Sequence, residues 1–256
     1  HFEGPWLNPL RKGVHAEALL RRPTAAELGL VADGRGLRTL VTLAPEQVEP
    51  GVIAGLVRQG VKVAAGHSAA PAARLAEARA EGLDLFTHLF NAMSQIEPRD
   101  PGLVGAALAD DGAWCSIIAD GFHVHDRNIA MAHRLKPRGR LLLVSDAMPP
   151  VGGDGDGFEL DGVPIQVRDG RCTTAEGVLA GSAIGLIDAV RHCVRRLGLP
   201  LDVGLRMASV YVADYLGATG RGRLAPNLAA ALVLLDADLQ VTATIRSGVP
   251  VHGASW

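Results

Sequence analysis

Four apolar runs in this chain end on a residue that can bind a metal or move a proton. VKVAAGHS ends at His67, LDLFTHLF carries His88, WCSIIADGFH runs through Asp120 to His123, and RLLLVSDAM ends at Asp146. The opening HFEGPW adds a fifth group, Glu3. Glu3, His67 and His88 supply one carboxylate and two imidazoles, a donor set that holds one divalent ion and leaves a position open for water. Each histidine alone is more simply a packed strand-end residue; it is the group together that points to a metal. Asp146 suits a general base and acid, because a carboxylate facing metal-activated water takes its proton and returns it to a leaving amine. A turn or cap aspartate is the plainer alternative. Arg99 and His123 can hold an anion such as a phosphate through charge-assisted bonds. The backbone at Asn91 and Ala92, just past a strand tip, offers N–H groups to the same ligand. His125 completes an HxH with His123, but the pair follows the Asp120-Gly121 turn signal and is not taken as the metal pair.

Placing these groups together requires several strands that end on one side of the molecule. Strand and helix patterns alternate: a strand in RTLVTLAPE ending at Pro45, a helix over 50–60, the strand to His67, a helix over 71–81, and the strand to His88. That rhythm is the pattern of parallel βα units, and in an α/β barrel the reactive residues sit at the C-terminal ends of different strands. The Pro- and Gly-rich stretch 94–108, which holds Arg99, reads as a loop over the barrel mouth. After a strand over 114–119, a helix near 126–136 and the strand to Asp146, Gly and Asp punctuate short alternating runs that read as inserted β-hairpins. A helix follows Leu179–Ser182, another spans 201–217, and the tail from residue 221 reads as strands of a small second sheet. The domain reading is therefore a barrel over 1–220 and further strands over 221–256.

Composition narrows the partners. The chain has 256 residues, 48% of them hydrophobic, and a net charge of -2, with arginines scattered along it. No basic run suggests a nucleic-acid partner. No apolar run approaches the roughly 20 residues that cross a bilayer. Cys115, Cys172 and Cys193 are widely spaced with no CxxC, as expected of free thiols in a reducing, cytoplasmic setting. The first residues already read as a strand end, so an upstream segment is expected.

Taken together, HFEGPWLNP with KGVH, VTLAPE, AGHS, THLFNAMS, the RDPG loop, IADGFHVH, LVSDAM, LAGS and GRLAP resemble the N-acetylglucosamine-6-phosphate deacetylases of the amidohydrolase superfamily. The strings fall in that family's order along nearly the whole chain. The resemblance implies an α/β fold, a metal-dependent (β/α)8 TIM barrel incomplete at its N-terminus, with C-terminal strands of a small β-sandwich. It implies hydrolysis of the acetamide of N-acetylglucosamine 6-phosphate to glucosamine 6-phosphate and acetate. It also implies a divalent metal on Glu3, His67 and His88, zinc foremost, with iron, manganese or cobalt as alternatives, and Asp146 as proton donor and acceptor. Substrate contacts carried over by position are Val14 and His15, Asn91 and Ala92, Arg99, Asp120, Gly121, Phe122 and His123, and Leu179, Ala180 and Gly181. Arg99 and His123 would be lent across a homodimer interface to the sugar phosphate. Either His15 or His123 could steady the oxyanion or hold sugar hydroxyls.

The chain also departs from the family pattern. The family's first barrel strands, with their strand-1 metal motif, and half of its sandwich have no counterpart here. Ala231 replaces a usual aspartate before LVLLD, and Val14 a usual alanine. Two other functions compete: an amidohydrolase acting on a cyclic amide or an N-acyl amino acid, and an inactive truncated barrel that keeps the ligands.

Overall fold

Short, nearly continuous buried runs give this chain its central layer. In the computed structural model, which describes residues 1–153 and 155–253, β1 (Phe2–Glu3), β2 (Leu40–Leu43), β3 (Lys62–Ala65), β4 (Leu85–Phe86), β5 (Trp114–Ile118) and β6 (Leu141–Val144) form one sheet. The strands pair in sequence order and every pair is parallel. Successive side chains point to opposite faces. Val41, Val63, Phe86, Ile117 and Leu143 join one buried cluster, which the surrounding helices cover. Ala64, Leu85 and Leu142 turn to the other face and meet Tyr215. Such a sequential parallel sheet is the wall of a (β/α) barrel, and six of its strands are present among the described residues.

The connecting helices are α1 (Ala25–Asp33), α2 (Val52–Arg58), α3 (Ala72–Ala80), α4 (Gly102–Ala109) and α5 (Asp126–Leu135). Thr24 and Glu27 form a reciprocal capping box at the start of α1. The expected loop over 94–108 is corrected here, because its second half is α4. Leu103, Val104, Ala107 and Leu108 of this helix are all buried, so it has no polar face to betray its period, and Pro101-Gly102 before it resembles a turn.

Beyond β6 the chain builds a four-stranded antiparallel sheet from β7 (Gly157–Leu160), β8 (Val163–Arg168), β9 (Arg171–Thr173) and β10 (Leu179–Ser182), as the hairpin signals anticipate. Then come α6 (Leu186–Arg195), α7 (Leu201–Ala208) and α8 (Val210–Tyr215). The single helix expected over 201–217 is thus two. Ser209 leaves helical geometry at φ -138°, ψ -74°, its hydroxyl donates to the Leu205 carbonyl, and Gly222 packs so close to its carbonyl that a Cβ there would lie 2.9 Å away. The tail forms a three-stranded antiparallel sheet of β11 (Leu232–Leu235), β12 (Val241–Arg246) and β13 (Val249–His252).

Candidate metal centre and active site

Glu3, His67 and His88 arrive from the C-terminal ends of β1, β3 and β4 and converge. Glu3 Oε1 lies 3.1 Å from His67 Nε2 and 2.8 Å from His88 Nε2, and the two Nε2 atoms are 3.0 Å apart. An ion with bonds of about 2.0–2.1 Å sets tetrahedral ligands roughly 3.3–3.4 Å apart, so this triangle needs only slight opening to enclose one. His67 Nδ1 meets the Arg11 carbonyl at 2.8 Å, which turns Nε2 toward Glu3 and His88. Burial opposes the Glu3 charge, yet its bonds to His67 and His88 hold the carboxyl well below the usual range. Burial opposes a charge on His88 too, but Glu3 outweighs it and the imidazole is raised, with Asp146 adding to the effect. A cluster that draws protons in this way also favours a cation, and the donor set fits a divalent ion.

Backbone strain marks the same tips. His67 (φ 48°), His88 (φ 31°), Phe90 (φ 81°), Ala92 (φ 49°) and Asp146 (φ 52°) all sit in the left-handed region, which costs a side-chain-bearing residue energy and clusters where function fixes geometry. Gly66 makes room for the first of them, since a Cβ there would lie 2.2 Å from Thr87 Cγ2.

A cavity of about 560 Å³ opens above the triangle, ample for a sugar-sized ligand. Its floor is Glu3, His67, His88 and Asp146; one wall is Arg11, Gly13, Val14 and His15, and another is Met148, Leu179 and Gly181. Burial and the neighbouring His67 both lower the His15 imidazole, so that ring is neutral near pH 7. Gly181 has φ 63°, and a Cβ there would stand 2.8 Å from the Asp146 carbonyl. Beside it the Ser182 amide donates to that carbonyl at 2.8 Å, which seats the end of β10 against the aspartate.

The comparisons with known proteins agree with one another. An N-acetylgalactosamine-6-phosphate deacetylase of Shewanella sp. (strain ANA-3) is 39% identical over 99% of this chain and 64% of its own length. The N-acetylglucosamine-6-phosphate deacetylase of Pasteurella multocida matches in structure with a TM-score of 0.93 at 36% identity, over 98% of this chain and 66% of that one. The Mycobacterium smegmatis deacetylase solved with N-acetyl-D-glucosamine-6-phosphate gives a TM-score of 0.89 at 37% identity, over 97% of this chain and 67% of that one. The chain belongs to the N-acetylglucosamine-6-phosphate deacetylase family. It spans about 64% of the length of the curated relatives it matches, and no family model matches it. No helix among the described residues is long and apolar enough to cross a membrane.

Within this deacetylase fold the expected site residues separate into two groups. Glu3, Val14, His15, His67, His88, Asn91, Ala92, His123, Asp146, Leu179 and Gly181 share the cavity. Arg99, Asp120, Gly121, Phe122 and Ala180 stand outside its lining. Asp120 instead aims its neighbour: its carboxylate accepts from the amides of Phe122 and His123, each at 2.9 Å, and from His123 Nδ1 at 2.6 Å. Phe122 packs under the Arg171 guanidinium, 4.5 Å from its ring centre, and joins the barrel loop to the inserted sheet. Ala180 is fully buried in the core of that sheet. Arg99 is exposed on the 95–100 loop. The Asn91 amide donates to the His88 carbonyl at 2.9 Å, so it closes a turn rather than facing the cavity as a free donor. Leu160 and Asp161, at the tip of the β7–β8 hairpin, also line the mouth; an inserted hairpin was legible in the sequence, its reach was not.

Proposed function

We propose that this chain hydrolyses the acetamide of an N-acetylhexosamine 6-phosphate, with N-acetylglucosamine 6-phosphate as substrate, to the amino-sugar phosphate and acetate. The observation that carries this reading is the convergence of Glu3, His67, His88 and Asp146 on one cavity in a chain of this family. Glu3, His67 and His88 hold a divalent ion, zinc foremost. When bound, such an ion supplies Lewis acidity and lowers the pKa of water beside it. Asp146 takes the proton from the attacking water and delivers it to the departing nitrogen, so one carboxylate serves both halves of the reaction. Neutral His15 donates to the carbonyl oxygen as negative charge builds on it. His123, oriented by Asp120, holds the sugar phosphate from within its own chain. Arg99 of a second copy in a homodimer completes the phosphate clamp, which fits its exposure away from its own cavity.

The Shewanella and Escherichia coli O157:H7 relatives, at 39% and 37% identity, are named for the galactosamine epimer, and this favours a second reading in which that epimer is the better substrate. Acetate release from both epimers should be measured on the parent and on Asp146→Asn, with metal content alongside. Turnover of either epimer that vanishes in Asp146→Asn while metal stays bound supports the deacetylase, and the ratio of kcat/KM values assigns the epimer. Bound metal with turnover only of cyclic amides or N-acyl amino acids defeats the proposal.

A further inference from the structure

We infer that Glu46 is a positioning residue for the metal centre: it closes a ring of hydrogen bonds that holds His67 in its strained, ligand-presenting conformation. The inference rests on the metal reading of Glu3, His67 and His88. Glu46 lies on the short turn Pro45–Gln47 directly after β2, between the strand tips that carry Glu3 and His67. Its Oε1 accepts from Asn8 Nδ2 at 2.8 Å and from the Ala69 amide at 2.7 Å, while Oε2 accepts from Ser68 Oγ at 2.6 Å.

Each of those partners leads back to His67. The Asn8 amide donates to the His67 carbonyl at 2.9 Å. Asn8 Oδ1 accepts from the Leu10 amide and its carbonyl from the Arg11 amide, both at 2.8 Å, and this builds the 3-10 turn Pro9–Arg11. That turn presents the Arg11 carbonyl to His67 Nδ1. On the other side Ser68 and Ala69 directly follow His67 in the chain. The Ser68 carbonyl and amide also pair with the Ser94 amide and the Ala92 carbonyl, at 3.2 and 3.1 Å, so the ring is anchored to the next strand tip. A non-glycine residue at φ 48° persists only where its surroundings over-determine it. Here a single carboxylate ties the segment that follows the strained residue to the turn that meets its Nδ1. Glu46 stands outside the cavity lining and acts through His67.

The test is metal affinity, measured by chelator competition with zinc on the protein, beside thermal melting of the metal-free form. Glu46→Ala should weaken zinc binding roughly 10–100-fold, the range for groups that orient a ligand. Glu46→Gln keeps an acceptor for Asn8 and Ala69 and should restore most of it. If Glu46→Ala fails to fold, Asn8→Ala and Ser68→Ala each remove one spoke of the ring and should give smaller losses of affinity. Parent-like zinc affinity in Glu46→Ala, or in both spoke variants, with only a lower melting temperature, assigns Glu46 to stability alone and overturns the inference. A parent that binds no zinc overturns the metal reading itself, and that result is distinguishable because it precedes any substitution.

Discussion

At the C-terminal ends of β3, β4 and β6 the chain sets His67, His88 and Asp146 in left-handed backbone around an open cavity. At the N-terminal ends of the same sheet the charged groups are paired off. Lys62 Nζ meets Asp84 Oδ2 at 2.9 Å, Tyr215 donates to Asp84 Oδ1 at 3.0 Å, and Arg79 holds Asp110 at 2.7 Å. Lys136, nearly fully buried, donates to the carbonyls of Ala107 and Asp110 at the end of α4. The left-handed non-glycine residues among the described residues lie at the C-terminal tips or in the turns and loops of the two small sheets, and none lies at this opposite end. One end of the sheet keeps strain and turns its polar groups toward an open cavity, and the other pairs its polar groups away from any such opening. In barrels of this kind the first end carries chemistry and the second carries stability.

The sharpest way to break that division is to remove one group from the reactive end. Under the proposed metal reading His88→Ala takes away a direct ligand, so zinc affinity should fall by more than the roughly 100-fold upper range for an orienting residue. Metal-free stability should change far less, because removal relieves the crowded pair of rings while the left-handed backbone at position 88 stays as it is. Isothermal titration with zinc and a melt of the metal-free protein read the two effects separately. A variant that loses stability as much as metal affinity would merge the two ends.

The contrast also explains what the sequence exposes. Strand tips are legible because an apolar run that stops at a histidine or aspartate leaves a polar group where burial ends, and Glu3, His67, His88 and Asp146 do lie at strand ends that open on one cavity. The parallel order follows from the strand–helix alternation. α4 is not legible, because a helix without a single polar residue has no amphipathic period. The break at Ser209 depends on Gly222 packing against it, a contact between residues 13 positions apart that no local pattern records. Asp120 belongs to the same class: its residue type advertises a ligand contact, and only the fold reveals that its oxygens are taken up by His123 and the turn. VTLAPE marks Glu46, yet the purpose of that carboxylate is visible only once Asn8, Ser68 and Ala69 surround it.

At the stabilising end, Lys136→Met should have the opposite signature to His88→Ala. It removes the ammonium donor from the Ala107 and Asp110 carbonyls, which keep only the Cys115 thiol and the Ala113 amide, a loss of about 1–3 kcal/mol. Urea unfolding should record it, with zinc affinity unchanged.

Alkaline pH probes the core between the two ends. Burial pushes the Cys115 and Cys193 thiols up to about 12 from an ordinary value of 9.0. Below pH 9 folded and unfolded chains both keep these protons, and the thiols do not affect stability. Between about 9 and 12 only the unfolded chain releases them, so the folded form binds more protons and stability falls as pH rises, approaching a tenfold drop in the folding constant per pH unit for each thiol. Urea titrations at pH 8 and pH 10.5 on the parent and on Cys193→Ala should give a shallower decline in the variant. Equal slopes would place the alkaline sensitivity elsewhere.

The smallest expected effect tests whether the stabilising end is a network or a set of separate pairs. Tyr215, from α8, reaches across the inner face of the sheet to Asp84, and Lys62 Nζ lies 4.9 Å from its ring centre as well as on the same carboxylate. Tyr215→Phe removes one hydroxyl and keeps the packing. Lys62 still pairs with Asp84, and the Asp84 side chain is 28% exposed, so water can replace the lost donor. The cost should be about 1 kcal/mol, below the usual range for a bond to a charged group. A double-mutant cycle with Lys62→Met separates the alternatives. Additive losses mean two independent contacts, whereas a coupling of about 0.5 kcal/mol or more means that phenol, ammonium and carboxylate act as one unit. In either case zinc affinity should not move, because every group in this cluster lies at the end of the sheet away from His67 and His88.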